Sequence, residues 1–315
     1  MSPKTLLRSE FVVVALIQDL KITTLADKLA LTECLGQWGL SFLLELEDVR
    51  GCRRKIIFDT GMHRASLLYN MKQLKVNLCD LDCVVISHGH NDHTSSTVEI
   101  AKATGGLKVY AHPHAFLPRF RKNRAGNQRE DGVPKGERLE DLERVGAEVI
   151  LNTQPTEILP GVWITGQIQR LSSFECAFAL SRDERFTIIV DGQEIDDQIL
   201  DDQALWTDIQ EVGPFVITGC AHAGILNTLL QVQRLGKFKR IHGLIGGTHL
   251  IKRSEQYIKQ TVEGLGQFGL ELISPCHCTG FKAAVKLWRT YGSAFVQNFS
   301  GRVIEAKKRS EVRVF

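Results

Sequence analysis

Three histidines and an aspartate lie within six residues of this 315-residue chain, at His88, His90, Asp92 and His93. Neutral imidazoles and carboxylates are the ligands that a catalytic zinc or iron ion takes in proteins. A solvated polar turn would account for one or two of these histidines, but not for their density directly behind the hydrophobic residues 84–86. The spacing therefore predicts a metal site at this turn.

The residues around this motif predict how its side chains are positioned. The apolar run 81–86 indicates a buried strand, and the residues after Thr94 can begin a helix. The candidate ligands would then lie on a tight loop between a strand and a helix, where the backbone sets their spacing.

Three later apolar strands end in the same way, in a turn that carries a histidine and leads into a predicted helix. These histidines are His222, His249 and His277. Each of them alone would be more simply explained as a structural residue. Because the carboxyl ends of strands form the ligand crevice of layered α/β folds, their shared placement favours convergence on one site.

The composition, with 43% hydrophobic and 24% charged residues, is that of an ordinary globular protein. A net charge of +3 is too small to indicate nucleic-acid binding. Eight cysteines without a regular framework favour a reducing cytoplasm over a disulfide-stapled secreted domain. The apolar run 11–17 is ended by Gln18-Asp19 without a signal-cleavage pattern and is too short to span a bilayer. We therefore predict a strand there, a cytoplasmic protein and no membrane partner.

Strand patterns alternate with helical patterns along the chain. Helical spacing occurs at Ile258, Val262 and Leu265, and again around Leu226. This alternation predicts an α/β layered fold, and the lack of a linker or repeat favours one domain over residues 1–315. The predicted strands span residues 40–45, 55–58, 107–110, 162–168, 186–190, 215–218 and 242–245.

Residues 118–138 differ from the rest, because they are polar, contain glycine and carry seven basic side chains, Arg121 among them. A solvated loop is the simpler interpretation. The functional alternative is a mobile basic lid over an anionic substrate.

The motif His88-Gly89-His90-Asn91-Asp92-His93 resembles the HxHxDH signature of the metallo-β-lactamase superfamily, and residues 58–61 resemble the Phe-Asp-Thr-Gly turn that precedes it. Residues 39–42, 218–225, 246–250 and 275–280 are similar to the dihydropterin synthase-like clade of that superfamily. The resemblance implies an αββα sandwich, in which two mixed β-sheets lie between helices. It also implies one or two divalent metal ions at one edge, zinc in the first place, with iron or manganese as alternatives.

The same resemblance implies a ligand set. The third metal histidine of the hydrolytic members has no counterpart between residues 161 and 202, and His222 is the candidate replacement. Cys220 stands where those members carry a metal-bridging carboxylate, and is either a ligand or a small apolar filler. The predicted ligands are His88, His90 and His222 for one ion and Asp92, His93 and His277 for the other.

Further roles follow from position. Asp92 would also orient a metal-bound water as a catalytic residue. The resemblance implies that His249, the other candidate catalytic residue, either supports the metal ligands from outside or faces a phosphate. Asp59, in its Asp-Thr-Gly turn, would accept the second N–H of a ligand histidine, although such a sequence is also simply a good turn. The predicted phosphate-binding residues are Thr279, Gly280 and Lys282, where a helix begins, together with Arg121. An ordinary helix N-cap followed by a surface lysine explains Thr279, Gly280 and Lys282 equally well.

The function predicted from this resemblance is a metal-dependent enzyme for a small phosphorylated or pterin-like substrate. It would be either a hydrolase or a transferase that joins a pterin to a ribosylated aminobenzene phosphate. Asn91 and Ser95-Ser96 depart from the clade's pattern and leave the substrate open. The alternatives are a phosphodiesterase or nuclease and a non-catalytic metal sensor. Nucleases of this fold usually carry an RNA-grasping arm or a large inserted domain, and this chain has room for such an addition only at residues 118–138. Flavo-diiron electron transfer is disfavoured by His90, and an exported lactamase by the missing signal. Nothing in the sequence specifies an oligomeric state.

Overall fold

The computed structural model describes residues 17–175, 184–308 and 312–315. Eighteen strands are found in these residues. They are β1 Ile17–Ala26, β2 Ser41–Asp48, β3 Arg53–Phe58, β4 Cys83–Val85, β5 Lys108–Ala111, β6 Arg119–Asn123, β7 Gln128–Glu130, β8 Glu148–Leu151, β9 Thr156–Leu159, β10 Val162–Ile164, β11 Glu184–Val190, β12 Gln193–Asp196, β13 Ala204–Ile209, β14 Gly213–Thr218, β15 Gly243–Gly247, β16 Leu272–Cys276, β17 Val303–Lys307 and β18 Arg313–Val314.

Seven α-helices alternate with these strands in the described residues, and short 3-10 turns lie between some of the elements. The helices are α1 Arg64–Gln73, α2 Asn91–Thr94, α3 Thr97–Thr104, α4 Leu139–Arg144, α5 Ile225–Gly236, α6 Glu255–Leu265 and α7 Phe281–Tyr291.

Most strands belong to one hydrogen-bonded sheet, which consists of two halves. Each half contains both parallel and antiparallel strand pairs. The first half has the order β1-β2-β3-β4-β5-β8, and the second half has the order β13-β14-β15-β16, with β10 and β9 beyond β13. Between β1 and β13 the two halves share one residue pair, Ile17 with Ile209. Because that junction is so short, the halves can fold over each other as separate layers.

The strands are buried on both faces, and their side chains alternate between two cores. In β14, Phe215 and Ile217 belong to the core that also contains Phe58 of the other half, whereas Val216 packs with the helices outside. Successive side chains of a strand point to opposite faces, so a continuous apolar run is what a strand covered on both sides requires. Each such side chain contributes about 1.5–3 kcal/mol of burial free energy.

Helices cover the outer faces of both halves. Helices α1, α3 and α4 contribute Leu67, Ile100 and Leu142 to the core on the first half. Helices α5, α6 and α7 cover the second half, and the spacing of Ile258 and Val262 predicted from sequence places both in that core. The layers are therefore helix, sheet, sheet and helix, which confirms the predicted αββα class.

A separate four-stranded antiparallel sheet has the order β12-β11-β6-β7. Two of its strands, β6 and β7, lie within residues 118–138, so the prediction of a plain loop there was wrong. The physical reason is that Arg119, a basic residue that suggested solvent exposure, is buried with Asp197 and Asp201 as its counter-charges.

Other boundaries also differ from the prediction. Gln18 and Asp19 do not end the first strand, because β1 continues to Ala26 with β2 and β17 as neighbours. The rest of the predicted strand 11–17 lies outside the described residues. The strand predicted over 162–168 ends at Ile164. No helix among the described residues is long and apolar enough to cross a membrane. One domain over residues 1–315 stays a prediction.

Candidate metal centre

Four strand ends bring the predicted histidines together. His88 and His90 follow β4, whereas His222, His249 and His277 follow β14, β15 and β16. The last three strands are parallel neighbours, so their carboxyl ends lie at the same edge of the sheet. The site is formed where this edge meets the end of β4, as the shared strand-end pattern predicts.

The first ligand group consists of His88, His90 and His222. Nε2 of His88 lies 3.0 Å from Nδ1 of His90 and 3.2 Å from Nε2 of His222. All three rings are buried, and burial lowers the pKa of each of them below its usual value. Three neutral imidazoles whose ring nitrogens face one another provide the donor set that zinc or iron takes.

The second ligand group consists of Asp92, His93 and His277. Nε2 of His277 lies 3.2 Å from Nε2 of His93 and 3.4 Å from Oδ2 of Asp92. Burial alone would raise the pKa of Asp92, but His93 and His277 outweigh it and hold that pKa below its usual range. Burial would also lower the pKa of His93, but Asp59 and Asp92 raise it to about 9. The group thus combines an ionised carboxylate with two histidine rings.

Cys220 lies between the two groups. Its Sγ is 3.3 Å from Nε2 of His93. The candidate ligand atoms of Cys220, His88 and His93 all lie within 4.8 Å of one another, and so do those of Cys220, His222 and His249. A third set joins Cys220 to His277 and Cys278. This thiol therefore occupies the position from which one side chain could contact two ions.

Asp59 orients two of the candidate ligand histidines, His93 directly and His88 through Ser87. Its Oδ2 accepts a hydrogen bond from Nδ1 of His93 at 2.6 Å and another from the Ser87 hydroxyl at 2.7 Å. The same hydroxyl lies 2.9 Å from Nδ1 of His88. A side chain on Gly219 would collide with Ser87, so only glycine fits there. These contacts fix the rings with their Nε2 atoms turned towards the site.

Gly89 lies between His88 and His90 because the turn passes close to another backbone. A Cβ atom at this position would collide with the carbonyl of Ala115. The N–H of Gly89 donates to Oδ2 of Asp201 at 2.7 Å. The turn is therefore held by the backbone hydrogen bond of Gly89 as well as by the contacts that orient its histidine rings.

Four non-glycine residues around the site have a left-handed backbone: Asp59, Ala221, His249 and His277, with φ values of 61°, 57°, 47° and 50°. This conformation is costly for side chains other than glycine and asparagine, and such residues persist only where surrounding contacts hold them. Their concentration at four different turns indicates that the geometry of the site is maintained against local strain.

The predicted substrate-binding residues are only partly brought together. His249 is next to the first ligand group, with its ring 4.2 Å from that of His222. Arg121 packs over Phe186, whose ring centre lies 6.1 Å from that of His90. Lys282, by contrast, lines a surface cavity with Glu255, Lys259 and Lys286 of α6 and α7, away from the ligand groups.

Thr279 and Gly280 follow the candidate ligand His277. The Thr279 hydroxyl is buried and bonds to that of Thr248 at 3.0 Å, and Gly280, with φ 80°, begins α7. Both residues line a cavity that is different from the one lined by Lys282.

Sequence reasoning missed several residues that position the site, namely Ser87, Asp201, Arg119 and Cys278. No usable signal in the sequence marks the adjacent acids Asp201 and Asp202, because only the structure shows that both are buried and need partners. Asp202 accepts the N–H of Ala223 at 2.8 Å, which holds the turn that carries His222. Burial raises the pKa of Asp202 to about 7.

The residues present fit one or two divalent ions. The candidate groups combine imidazole, carboxylate and thiol donors, all converging from separate turns. On the remote side of the His93 and His88 rings, Asp59 and Ser87 supply orienting hydrogen bonds of the kind that metal-binding histidines make. The arrangement therefore supports a Lewis-acid centre for phosphate or carbonyl oxygens.

Comparison with known proteins agrees with this geometry. The family model of the metallo-β-lactamase superfamily matches residues 40–167. The 7,8-dihydropterin-6-methyl-4-(β-D-ribofuranosyl)-aminobenzene-5′-phosphate synthase of Methanocaldococcus jannaschii is 29% identical over 296 residues, covering 92% of this chain and 97% of the synthase. The uncharacterized protein MJ0448 of the same organism is 30% identical over 286 residues, covering 90% of this chain and 99% of that protein.

Among solved structures, Tm1679 is described as a metal-dependent hydrolase of the β-lactamase superfamily. It aligns with a TM-score of 0.74 at 25% identity, covering 92% of this chain and 100% of that chain. Fold, motif and relatives lead to the same conclusion: this chain belongs to the metallo-β-lactamase superfamily.

Proposed function

We propose that this chain is a metal-dependent enzyme that acts on a small phosphorylated, pterin-like substrate. The observation that carries the proposal is the convergence of two ligand groups, His88, His90 and His222 on one side and Asp92, His93 and His277 on the other. The substrate class is supported by the similarity, over nearly the whole chain, to a synthase whose name contains a dihydropterin and a ribofuranosyl aminobenzene phosphate.

Bound ions would clamp phosphate oxygens and stabilise the negative charge that develops on a departing phosphate. The chain's own groups have separate tasks. Asp92, on the exposed side of the second group, would orient the reacting oxygen. Asp59 keeps His93 turned towards the site. His249, half-buried beside His222, would accept the proton that the nucleophile loses.

Group transfer is the reaction that we favour. The bond between the pterin side-chain carbon and a phosphate oxygen would break, and the amine nitrogen of the aminobenzene would form the new bond to that carbon and lose a proton. Hydrolysis is the second candidate, because Tm1679 is described as a hydrolase and the same ligands would serve a water nucleophile.

The test is an assay of the zinc-, iron- and manganese-loaded protein. The substrates are a dihydropterin with a side-chain diphosphate and 4-(β-D-ribofuranosyl)aminobenzene 5′-phosphate, and products are separated by chromatography and identified by mass. The coupled product supports transfer. Diphosphate release without coupling makes the protein a hydrolase, and no reaction with any metal contradicts the proposal.

A matched pair of histidine variants completes this test. His90→Ala should lose bound metal and activity together, since it removes one of three imidazoles from the first group. His63→Ala, at an exposed histidine before α1, should retain both. Equal activity of the two variants would place the chemistry elsewhere.

The proposal includes a cytoplasmic location, zinc as the first metal to test, and neither membrane nor nucleic acid as partner. The seven cysteines in the described residues are all free thiols, which supports a reducing compartment.

A further inference from the structure

A cavity of about 430 Å³ lies beside the metal centre, on the other side of the turn that carries His277. Its walls are the end of β1, the beginning of α7 and the segment before β17. Apolar side chains predominate. The residues that line the cavity include the apolar Phe281, Ala284 and Trp288 and the polar Lys28, Thr279 and Asn298. The volume is within the range of about 300–1,000 Å³ that small-molecule sites occupy.

The cavity and the metal centre share one wall. Cys276 and Thr279 line the cavity, and His277 between them directs its Nε2 to His93 on the opposite side. Asp27, which also lines the cavity, accepts the backbone N–H of His277 at 2.7 Å. A ligand in the cavity would therefore lie one turn of backbone away from the second ligand group.

Trp38 lies between the cavity and the metal centre. Its ring centre is 5.7 Å from that of His277, and the ammonium of Lys28 lies 5.8 Å from the same indole ring. The residue is 46% exposed. The indole thus extends from the cavity wall at Lys28 to a metal-ligand histidine.

The aromatic side chains at the cavity are unusually exposed. Phe281 is 83% and Trp288 is 57% exposed, although both are large and apolar. They are seven residues apart on α7 and so lie on one face of the helix, at the cavity. Exposed aromatic groups around a concave site are typical of surfaces that stack on a flat ligand ring.

Asn298 adds a directed hydrogen-bond donor. It is 1% exposed, and its Oδ1 accepts hydrogen bonds from the Thr24 hydroxyl at 2.7 Å and from the N–H of Phe299 at 2.8 Å. Because the backbone N–H can only donate, the amide orientation is fixed. Its Nδ2 has no hydrogen-bond partner among the described residues. Such a buried donor requires an acceptor, which a ring carbonyl or ring nitrogen would supply.

We propose that this cavity binds the planar ring of a pterin-like substrate. The ring would stack among the aromatic side chains and accept a hydrogen bond from Asn298, while its phosphate-bearing side chain passes Trp38 and Lys28 to the metal centre. This inference rests on the proposed function and assigns the part of the site that recognises the ring.

The test measures binding without turnover. The ligand is 6-hydroxymethylpterin, which is fluorescent and carries no phosphate, and it is titrated into the metal-loaded protein. Ala284→Phe fills the cavity from α7 without touching a ligand residue. It should weaken binding by about tenfold or more while metal content stays unchanged. Thr290→Phe, at an exposed position on the same helix that does not line the cavity, is the matched control and should bind as the wild type does.

Trp288→Ala provides a second variant that does not depend on a packed core, because this side chain is largely exposed. Weaker pterin binding by this variant supports the proposal. Wild-type affinity in Ala284→Phe, or no binding to the wild-type protein, overturns it. The proposed reaction is tested separately. If the protein binds pterin in this cavity but catalyses neither coupling nor hydrolysis, the ring site is supported and the proposed reaction is rejected.

Discussion

Arg119 and Asp201 form an ion pair in which both side chains are almost completely buried. Nη1 of the arginine donates to Oδ2 of the aspartate at 2.8 Å, and the same oxygen accepts the N–H of Gly89. Burial would raise the pKa of Asp201, but Arg119 outweighs it and holds that pKa below its usual value. The pair therefore connects β6 of the smaller sheet directly to the metal-binding turn.

Arg119→Met should destabilise the fold strongly. It would leave Asp201 and Asp197 as buried carboxylates without their counter-charge, and the loss of one partner of a buried pair costs about 3–5 kcal/mol. The free energy of unfolding by urea measures this effect. Lys122→Met on the same strand, where the ion pair is partly solvated, is the control and should change stability little. Equal effects of the two variants would mean that the buried pair is not what anchors this turn.

Asp59→Asn should weaken metal binding without unfolding the protein. The substitution replaces the carboxylate that faces Nδ1 of His93 and the Ser87 hydroxyl by a neutral amide. Removal of such an orienting partner lowers metal affinity by about 10–100-fold. Competition with a chelator gives the dissociation constant. Asp48→Asn, at the last residue of β2, should bind metal normally. A wild-type dissociation constant for Asp59→Asn would show that Asp59 does not contribute to metal binding.

The convergence of the candidate ligands at one edge could be expected from the sequence because their signal is local. Each histidine follows a short apolar strand, and parallel strands end at a common edge, which favours convergence. The grouping of His222 with His88 and of His277 with His93 came from the family resemblance. The αββα layers were predictable for a related reason. Strands that are apolar on both faces must be covered on both faces.

The basic segment was less predictable, because what orders it is distant in sequence. Arg119 is 82 residues from Asp201, so neither residue alone indicates a buried pair. Strand β6 pairs with β11, which follows more than sixty residues later. Likewise, Lys282 is only two residues from Gly280 in sequence, but it lines a different surface cavity. Local patterns do not contain these relationships.

Cys220 should be a metal ligand that can be detected by spectroscopy. Burial raises the pKa of its thiol, so a bound cation is needed to stabilise the thiolate. The cobalt(II)-substituted protein should show a sulfur-to-cobalt charge-transfer band that Cys220→Ser loses and that Cys52→Ser, at an exposed thiol, retains. Loss of the band in Cys278→Ser but not in Cys220→Ser would assign the ligand to the neighbouring thiol instead. A thiolate ligand would favour zinc or iron over manganese.

Glu175 should make the stability of the fold decrease as pH rises. Its carboxylate accepts the N–H groups of Leu226 and Asn227 at the start of α5, and burial nevertheless raises its pKa from 4.5 to about 7. The folded protein therefore binds more protons than the unfolded chain between these values, and the free energy of unfolding falls across this interval. The contribution of this one group is on the order of 3 kcal/mol.

Glu175→Gln keeps one of the two acceptor oxygens, which face the N–H groups of Leu226 and Asn227, and removes the titration. Urea unfolding at about pH 4.5 and about pH 7 should therefore show a smaller loss of stability in this variant than in the wild type. Glu140→Gln, at an exposed carboxyl in α4, should leave the wild-type difference unchanged. If Glu175→Gln lost as much stability as the wild type between the two pH values, the proton uptake would belong to other buried acids such as Asp202, whose pKa is also raised to about 7.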